Sequence, residues 1–261
     1  MKCNCGSSKE YSKCCQPFDD MVGYSSNNNE NILFNWITKY GNEGEKNFLL
    51  KFRKYLNRIG NYADVIFSIF SPDSFKRNSN IDTDILYSIH HNILLTVYGA
   101  TSCLAQGLFV QSGILLRSAL EDCFVLVDIS LNNEQFTKFL DGKYQANKSL
   151  SRTKDYLHKD LIKWYGYFSK FTHAGQLHSA NFLPMACHPN NWVSVTGFQN
   201  IVRILVSLHI ASERINYDNI TIRFFWSKNG GEKNFIFNED SKIYLWAEKI
   251  GNEILADYPI E

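Results

Sequence analysis

The chain has 261 residues, 44% of them hydrophobic, and sets 27 Lys and Arg against 26 Asp and Glu. That length can bury the core of one large domain, with room for a small appendage. A net charge of +1 gives no global electrostatic case for wrapping nucleic acid or acidic lipid, and leaves only a local patch open.

The first residues lack the apolar segment of a secretory leader, so a cytoplasmic, reducing setting is expected. In such a setting the seven cysteines fall into two groups. Cys103, Cys123 and Cys187 are scattered and read as small buried hydrophobes, whereas Cys3, Cys5, Cys14 and Cys15 crowd together as metal ligands do. Cys3-Asn4-Cys5-Gly6 reads as a knuckle, because two thiolates so close reach one ion only through a tight turn, which Gly6 permits. Ser7 and Ser8 can cap a short helical turn over residues 9–13 that returns Cys14 and Cys15 to the same ion. Four thiolates suit a structural, tetrahedral zinc, and Lys2, Lys9 and Lys13 offset the negative charge of such a centre.

The pattern C-x-C-G-S-x-K-x-Y-x-K-C-C resembles the SEC-C motif, a small zinc module found at the tail of the SecA translocation ATPase and in many unrelated bacterial proteins. The resemblance covers residues 1–18 and implies Cys3, Cys5, Cys14 and Cys15 as the ligands. Ser8 stands where the family usually has glycine. It also implies a protein or RNA partner bound through the module. Residues 19–31 read as a Ser/Asn-rich linker, and residues 32–261 as an α-helical domain.

Ile32, Leu33, Trp36 and Ile37 recur at helical spacing, as do Phe48, Leu50, Phe52, Tyr55 and Ile59 after a break expected at Gly41 and Gly44. A third short helix is expected over residues 63–70, and Asp82 or Thr83 can cap a long helix that follows. That helix enters a charge-free run over residues 93–116, continued to Leu131, which we read as a central helical hairpin. A membrane span is set aside: Thr101, Ser102, Gln106, Gln111 and Ser112 interrupt the run, and no Lys/Arg cluster flanks it. Asn132 and Asn133 break the pattern before helical repeats in 134–144 and an amphipathic stretch over 152–161. Residues 162–172 are rich in aromatics, and 176–196 read as an ordered loop. A helix over 197–216 should turn Ile201, Ile204, Leu205, Leu208 and Ile215 inward. A β-hairpin around Asn229-Gly230-Gly231 and a helix over 241–256 close the chain. The expected fold is therefore mainly α: a helical bundle around a central long hairpin, with an N-terminal zinc knuckle and a C-terminal β-hairpin. No repeat or heptad series is evident, and homodimer formation stays open.

Arg117 and Glu121 stand four apart and share a helix face. Tyr165, Ser169 and His173, also four apart in succession, form a second polar stripe that Ala174-Gly175 would terminate. A charged pair on an apolar helix needs partners or water, so the two stripes are expected to meet. R-S-x-x-E and Y-x-x-x-S-x-x-x-H, within residues 97–175, are similar to uncharacterised bacterial all-helical proteins, some of which carry SEC-C modules. These are distantly similar to HEPN domains, which include metal-independent ribonucleases of toxin–antitoxin and phage-defence systems. The resemblance implies either a partner-binding or sensor role in stress or phage defence, or a ribonuclease with Arg117, Glu121 and His173 as catalytic residues beside Tyr165 and Ser169. HEPN nucleases usually place Arg and His four to six residues apart with a polar residue after the Arg. Only Arg203 and His209 have that spacing here, and Ile204 replaces the polar residue. The plain alternatives are a structural polar network for the first set, and a surface arginine with a helix-face histidine for the second. His90 and His91 are neighbours whose directions on a helix differ by about 100°, so they do not share an ion. Walker, dinucleotide-binding, H-E-x-x-H and G-x-S-x-G motifs are absent from the sequence.

Overall fold

The computed structural model describes residues 10–13, 41–69, 83–172, 192–229 and 235–259. Contacts divide the chain into two units, Met1–Asn42 and Glu43–Glu261. In the first, a 3-10 turn at Tyr11–Lys13 is closed by the Lys13 N–H donating to the Glu10 carbonyl at 3.0 Å. Cys3, Cys5, Cys14 and Cys15 lie outside the described residues.

The second unit is mainly helical, with nine α-helices and one small sheet among its described residues. In chain order these are α1 (Gly41–Lys51), α2 (Arg53–Ile69), α3 (Thr83–Ala105), α4 (Phe109–Leu131), α5 (Asn133–Leu140), α6 (Ser149–Thr153), α7 (Lys159–Thr172) and α8 (Trp192–Ile215), then β1 (Trp226–Lys228), β2 (Phe235–Phe237) and α9 (Lys242–Asp257). None of these helices is long and apolar enough to cross a membrane.

Amphipathic spacing explains the outer helices. On α2, Tyr55, Ile59, Tyr62 and Ile66 recur at intervals of three and four, so one stripe is buried and the rest faces water. On α7 the stripe is Leu161, Trp164 and Phe168. α4 and α8 differ. Every residue from Cys123 to Ser130 is buried, as is every residue from Ile204 to Glu213. A helix buried on all sides belongs at the centre of a fold, and α4 indeed packs against α3, α5, α6, α7 and α8, while α8 packs against α2, α3, α4, α9 and β1.

The turn between α3 and α4 rests on Gly107, whose φ of 78° suits glycine. Its N–H donates to the Leu104 carbonyl and that of Leu108 to the Cys103 carbonyl, which satisfies the last carbonyls of α3. α5 begins where Asn132 accepts hydrogen bonds from the N–H groups of Glu134 and Gln135, at 3.0 and 3.3 Å. α9 returns to α2: Tyr55 Oη donates to Asp257 at 2.7 Å, and Arg58 meets Glu253 at 2.7 Å. The two strands pair antiparallel, with Trp226 opposite Phe237 and Lys228 opposite Phe235.

Three boundaries differ from the sequence reading. Gly41 opens α1 and Gly44 lies in its first turn, while the helix expected over residues 32–37 lies outside the described residues, and α2 runs unbroken through Gly60, joining what the pattern separates. Residues 192–196, read as loop, form the first turns of α8. In each case burial of neighbouring apolar residues outweighs a glycine or loop preference of about 1 kcal/mol.

Candidate functional site

α4 and α7 pack together and bring three of the expected polar residues into one cluster. Arg117 Nη2 donates to Glu121 Oε1 at 3.0 Å and to the Tyr165 hydroxyl at 3.3 Å. Tyr165 Oη donates to the same Glu121 oxygen at 2.9 Å, which closes a triangle. The Tyr165 ring is fixed edge-on against Phe124 at 5.8 Å, and the Arg117 guanidinium lies 5.5 Å from its centroid.

The cluster sits at the rim of the helical interface: the Arg117 side chain is 23% exposed and that of Glu121 is 42% exposed. Hydrogen bonding to Tyr165 raises the Arg117 pKa, burial opposes this, and the Glu121 charge adds to the rise. Next to it, burial first and the Glu121 charge second raise the Asp122 pKa. Such a rim holds a planar guanidinium fixed and reachable, which suits recognition of an anion. Ser169 belongs to the same stripe but its hydroxyl donates to the Tyr165 carbonyl at 2.8 Å, one turn back on its own helix. His173 lies outside the described residues.

Arg203 and His209 do not converge. Arg203 reaches Glu248 on α9 at 3.4 Å and lies over the Trp164 ring at 5.7 Å. His209 is wholly buried, and its Nδ1 pairs with Tyr62 Oη at 2.9 Å. His90 is buried, whereas His91 is exposed and stacks on Tyr87 at 6.1 Å, so the two rings serve different sides of α3. Cys123 is buried, Cys103 half-buried, and Cys187 lies outside the described residues. Among the described residues no group of three His, Cys, Asp or Glu side chains could hold a metal.

No family model matches the chain, and no curated protein or solved structure matches it significantly. A functional reading therefore rests on the chain's own residues.

Three polar arrangements escape the sequence reading. Asp128, with a side chain 3% exposed, accepts from Arg152 Nε at 2.7 Å and from Tyr144 Oη at 2.6 Å beside a cleft of about 220 Å³. A lone carboxylate inside the apolar run 123–130 is the signal that could have found it. Buried Glu213 accepts from the N–H groups of Phe224, Phe225 and Trp226 at 2.8 to 2.9 Å. His158 meets Glu239 at 3.1 Å and stacks on Phe237 at 4.0 Å. The last joins segments 81 residues apart, and neither of the last two carries a helical spacing that would announce it.

Proposed function

We propose that the chain is a zinc-binding protein that engages a protein or RNA partner through its N-terminal module. The helical domain, organised around the hairpin of α3 and α4, acts as a sensor or scaffold in bacterial stress or phage defence. The four-cysteine spacing carries this reading. The donor set fits the metal: four thiolates give zinc a closed tetrahedral shell, which stabilises a local fold and leaves no position for substrate. The 3-10 turn at Tyr11–Lys13 lies between the cysteine pairs, where the knuckle needs a short helical turn, and supports the reading. Metal analysis of the purified chain should give about one zinc per molecule. A Cys14→Ser, Cys15→Ser double variant should lose it while keeping the helical circular-dichroism signal of the larger unit. Metal-free wild-type protein would sink the proposal.

A second reading is favoured by the triangle at Arg117, which holds Arg117, Glu121 and Tyr165 together at the rim of α4 and α7. In it the domain cleaves RNA by attack of the 2′-hydroxyl on the adjacent phosphate, which forms a 2′,3′-cyclic phosphate as the bond to the 5′-oxygen breaks and that oxygen leaves as a hydroxyl. Arg117 stabilises the charge growing on that phosphate, His173 transfers the proton as general acid or base, and Glu121 orients it. Arg117→Ala should then abolish cleavage by the wild-type chain. Because the pair is partly exposed, the same change should cost under about 1 kcal/mol in urea unfolding. Intact RNA after prolonged incubation with wild-type protein would refute the nuclease reading and leave the first one standing.

A further inference from the structure

Three cations gather around aromatic rings where α8 ends. Arg214 Cζ lies 3.4 Å from the centroid of Phe235 on β2 and 5.8 Å from that of Tyr156, in the turn after α6. Lys228 Nζ stands 5.0 Å from the Tyr217 ring and 5.4 Å from Phe235. Arg223 Cζ is 4.3 Å from Tyr217, whose ring meets Phe235 edge to face at 5.0 Å. The cations and rings thus form one continuous cluster.

Their polar partners are unequal. Arg223 donates twice to the Tyr217 carbonyl, at 2.9 and 2.7 Å, and Lys228 pairs with Asp218 at 2.6 Å. Among the described residues Arg214 makes ring contacts and no hydrogen bond or ion pair. Its neighbour Glu213 is no help, since that carboxylate is fully buried and turned to the backbone of residues 224–226. Burial pushes the Arg214 pKa down, and Tyr156 and Asp218 offset this only in part. A half-buried guanidinium centred 3.4 Å over the Phe235 ring, with no hydrogen-bond or ion-pair partner among the described residues, keeps N–H donors for a ligand. Among the described residues the cluster sets three cations against one carboxylate, Asp218, so that ligand is an anion.

The rings narrow the choice further. Tyr156 is 43% exposed, lies within cation–π range of Arg214, and also lines the cleft of about 220 Å³ that Arg152 and Asn132 border. An acceptor group for Arg214 beside a stacking surface with open space describes a phosphate attached to a flat ring. We infer that this end of the helical domain binds a nucleotide unit, with its phosphate on the edge of Arg214 and its base on Tyr156. The unit comes either from a free nucleotide or from a single-stranded nucleic acid. The inference does not rest on the zinc module or on the Arg117 triangle.

The test uses the full chain, a fluorescein-labelled ten-nucleotide single-stranded RNA, and adenosine monophosphate as competitor. Wild-type protein should bind the strand. Arg214→Gln should weaken binding about tenfold and reduce the slope of log K against log salt by about 0.7, the share of one phosphate contact on a single strand. Arg58→Gln, which removes the same charge at the exposed Glu253 pair, should bind as wild type. Should Arg214→Gln melt early, Arg214→Lys decides: it keeps the charge and the salt slope but loses the fork, so affinity should still fall severalfold. Displacement of the strand by the mononucleotide names the free nucleotide as ligand, and persistence of the strand names the nucleic acid. Either supports the inference. Absence of binding to both, equal losses in the Arg214 and Arg58 variants, or equally good displacement by a decameric Glu peptide would overturn it. Zinc content should be unchanged in every variant, so failure here and failure of the zinc proposal are separate results.

Discussion

Glu213 keeps a carboxylate at zero exposure because three consecutive N–H groups, those of residues 224–226, converge on it. A buried charge without such donors would be prohibitive. One turn earlier, His209 shares the same interior and hydrogen-bonds Tyr62. Burial lowers the His209 pKa from 6.5 to about 3, so the folded chain holds it neutral where the unfolded chain would protonate it. Between those two values the unfolded state binds the extra proton. Stability therefore rises with pH across the window and is lost as pH falls from 6.5 towards 3, by at most about 1.4 kcal/mol per unit. His90, also lowered to about 3 by burial, acts in the same direction. Glu213 acts in the opposite one, since burial raises its pKa above 4.5 and the folded state binds the proton there. Urea unfolding at pH 7 and pH 5 should show a net loss of stability at the lower pH. His209→Gln, which can still accept from Tyr62, should flatten that dependence, and an unchanged slope in this variant would contradict the assignment. None of this is visible in Ser212-Glu213-Arg214, which reads as helix surface, because the donors that make burial tolerable sit on a segment about ten residues further on.

Helix crossings are set by small residues as much as by large ones. A Cβ added at Gly197 on α8 would lie 2.4 Å from Leu104 Cδ1 on α3, too close for either side chain to stay where it is. Gly197→Ala gains about 1 kcal/mol of helix propensity, yet overpacking a core contact costs about 1 to 3 kcal/mol, so a net destabilisation is expected. Pairing it with Leu104→Val should restore part of the loss, and strict additivity of the two changes in urea unfolding would show that the contact is not the cause. Sequence periodicity reads such elements unevenly. On α2 the expected Tyr55 and Ile59 are buried, and the same stripe runs on through Tyr62 and Ile66 where a separate helix is expected, while on α7 the apolar positions Trp164 and Phe168 are buried. On α8 the expected inward positions Ile201, Ile204, Leu205 and Leu208 are buried and Ile215 is half-buried, but Val202, Val206 and Ile210 on other faces are buried too. A helix with no polar face gives no clue to which neighbour covers which side.

At the scale of the whole molecule, helices that lie far apart in sequence complete one another. The triangle of Arg117, Glu121 and Tyr165 was legible because each helix carries its polar residues at four-residue spacing, so two short patterns suffice to bring them together. The nucleotide site proposed at Arg214 was not legible, because Phe235 and Tyr156 reach it from opposite directions along the chain. The same long-range closure joins α9 to α2, where Tyr55 and Asp257 are 202 residues apart. On the ribosome this separation becomes time. At about 5 to 20 residues per second, roughly 10 to 40 s pass between synthesis of Tyr55 and synthesis of the carboxylate it will bind. Until residue 215 has been made, the apolar stripe of α2 has neither α8 nor α9 to cover it, which makes the nascent chain a client for chaperones that shield exposed hydrophobic surface.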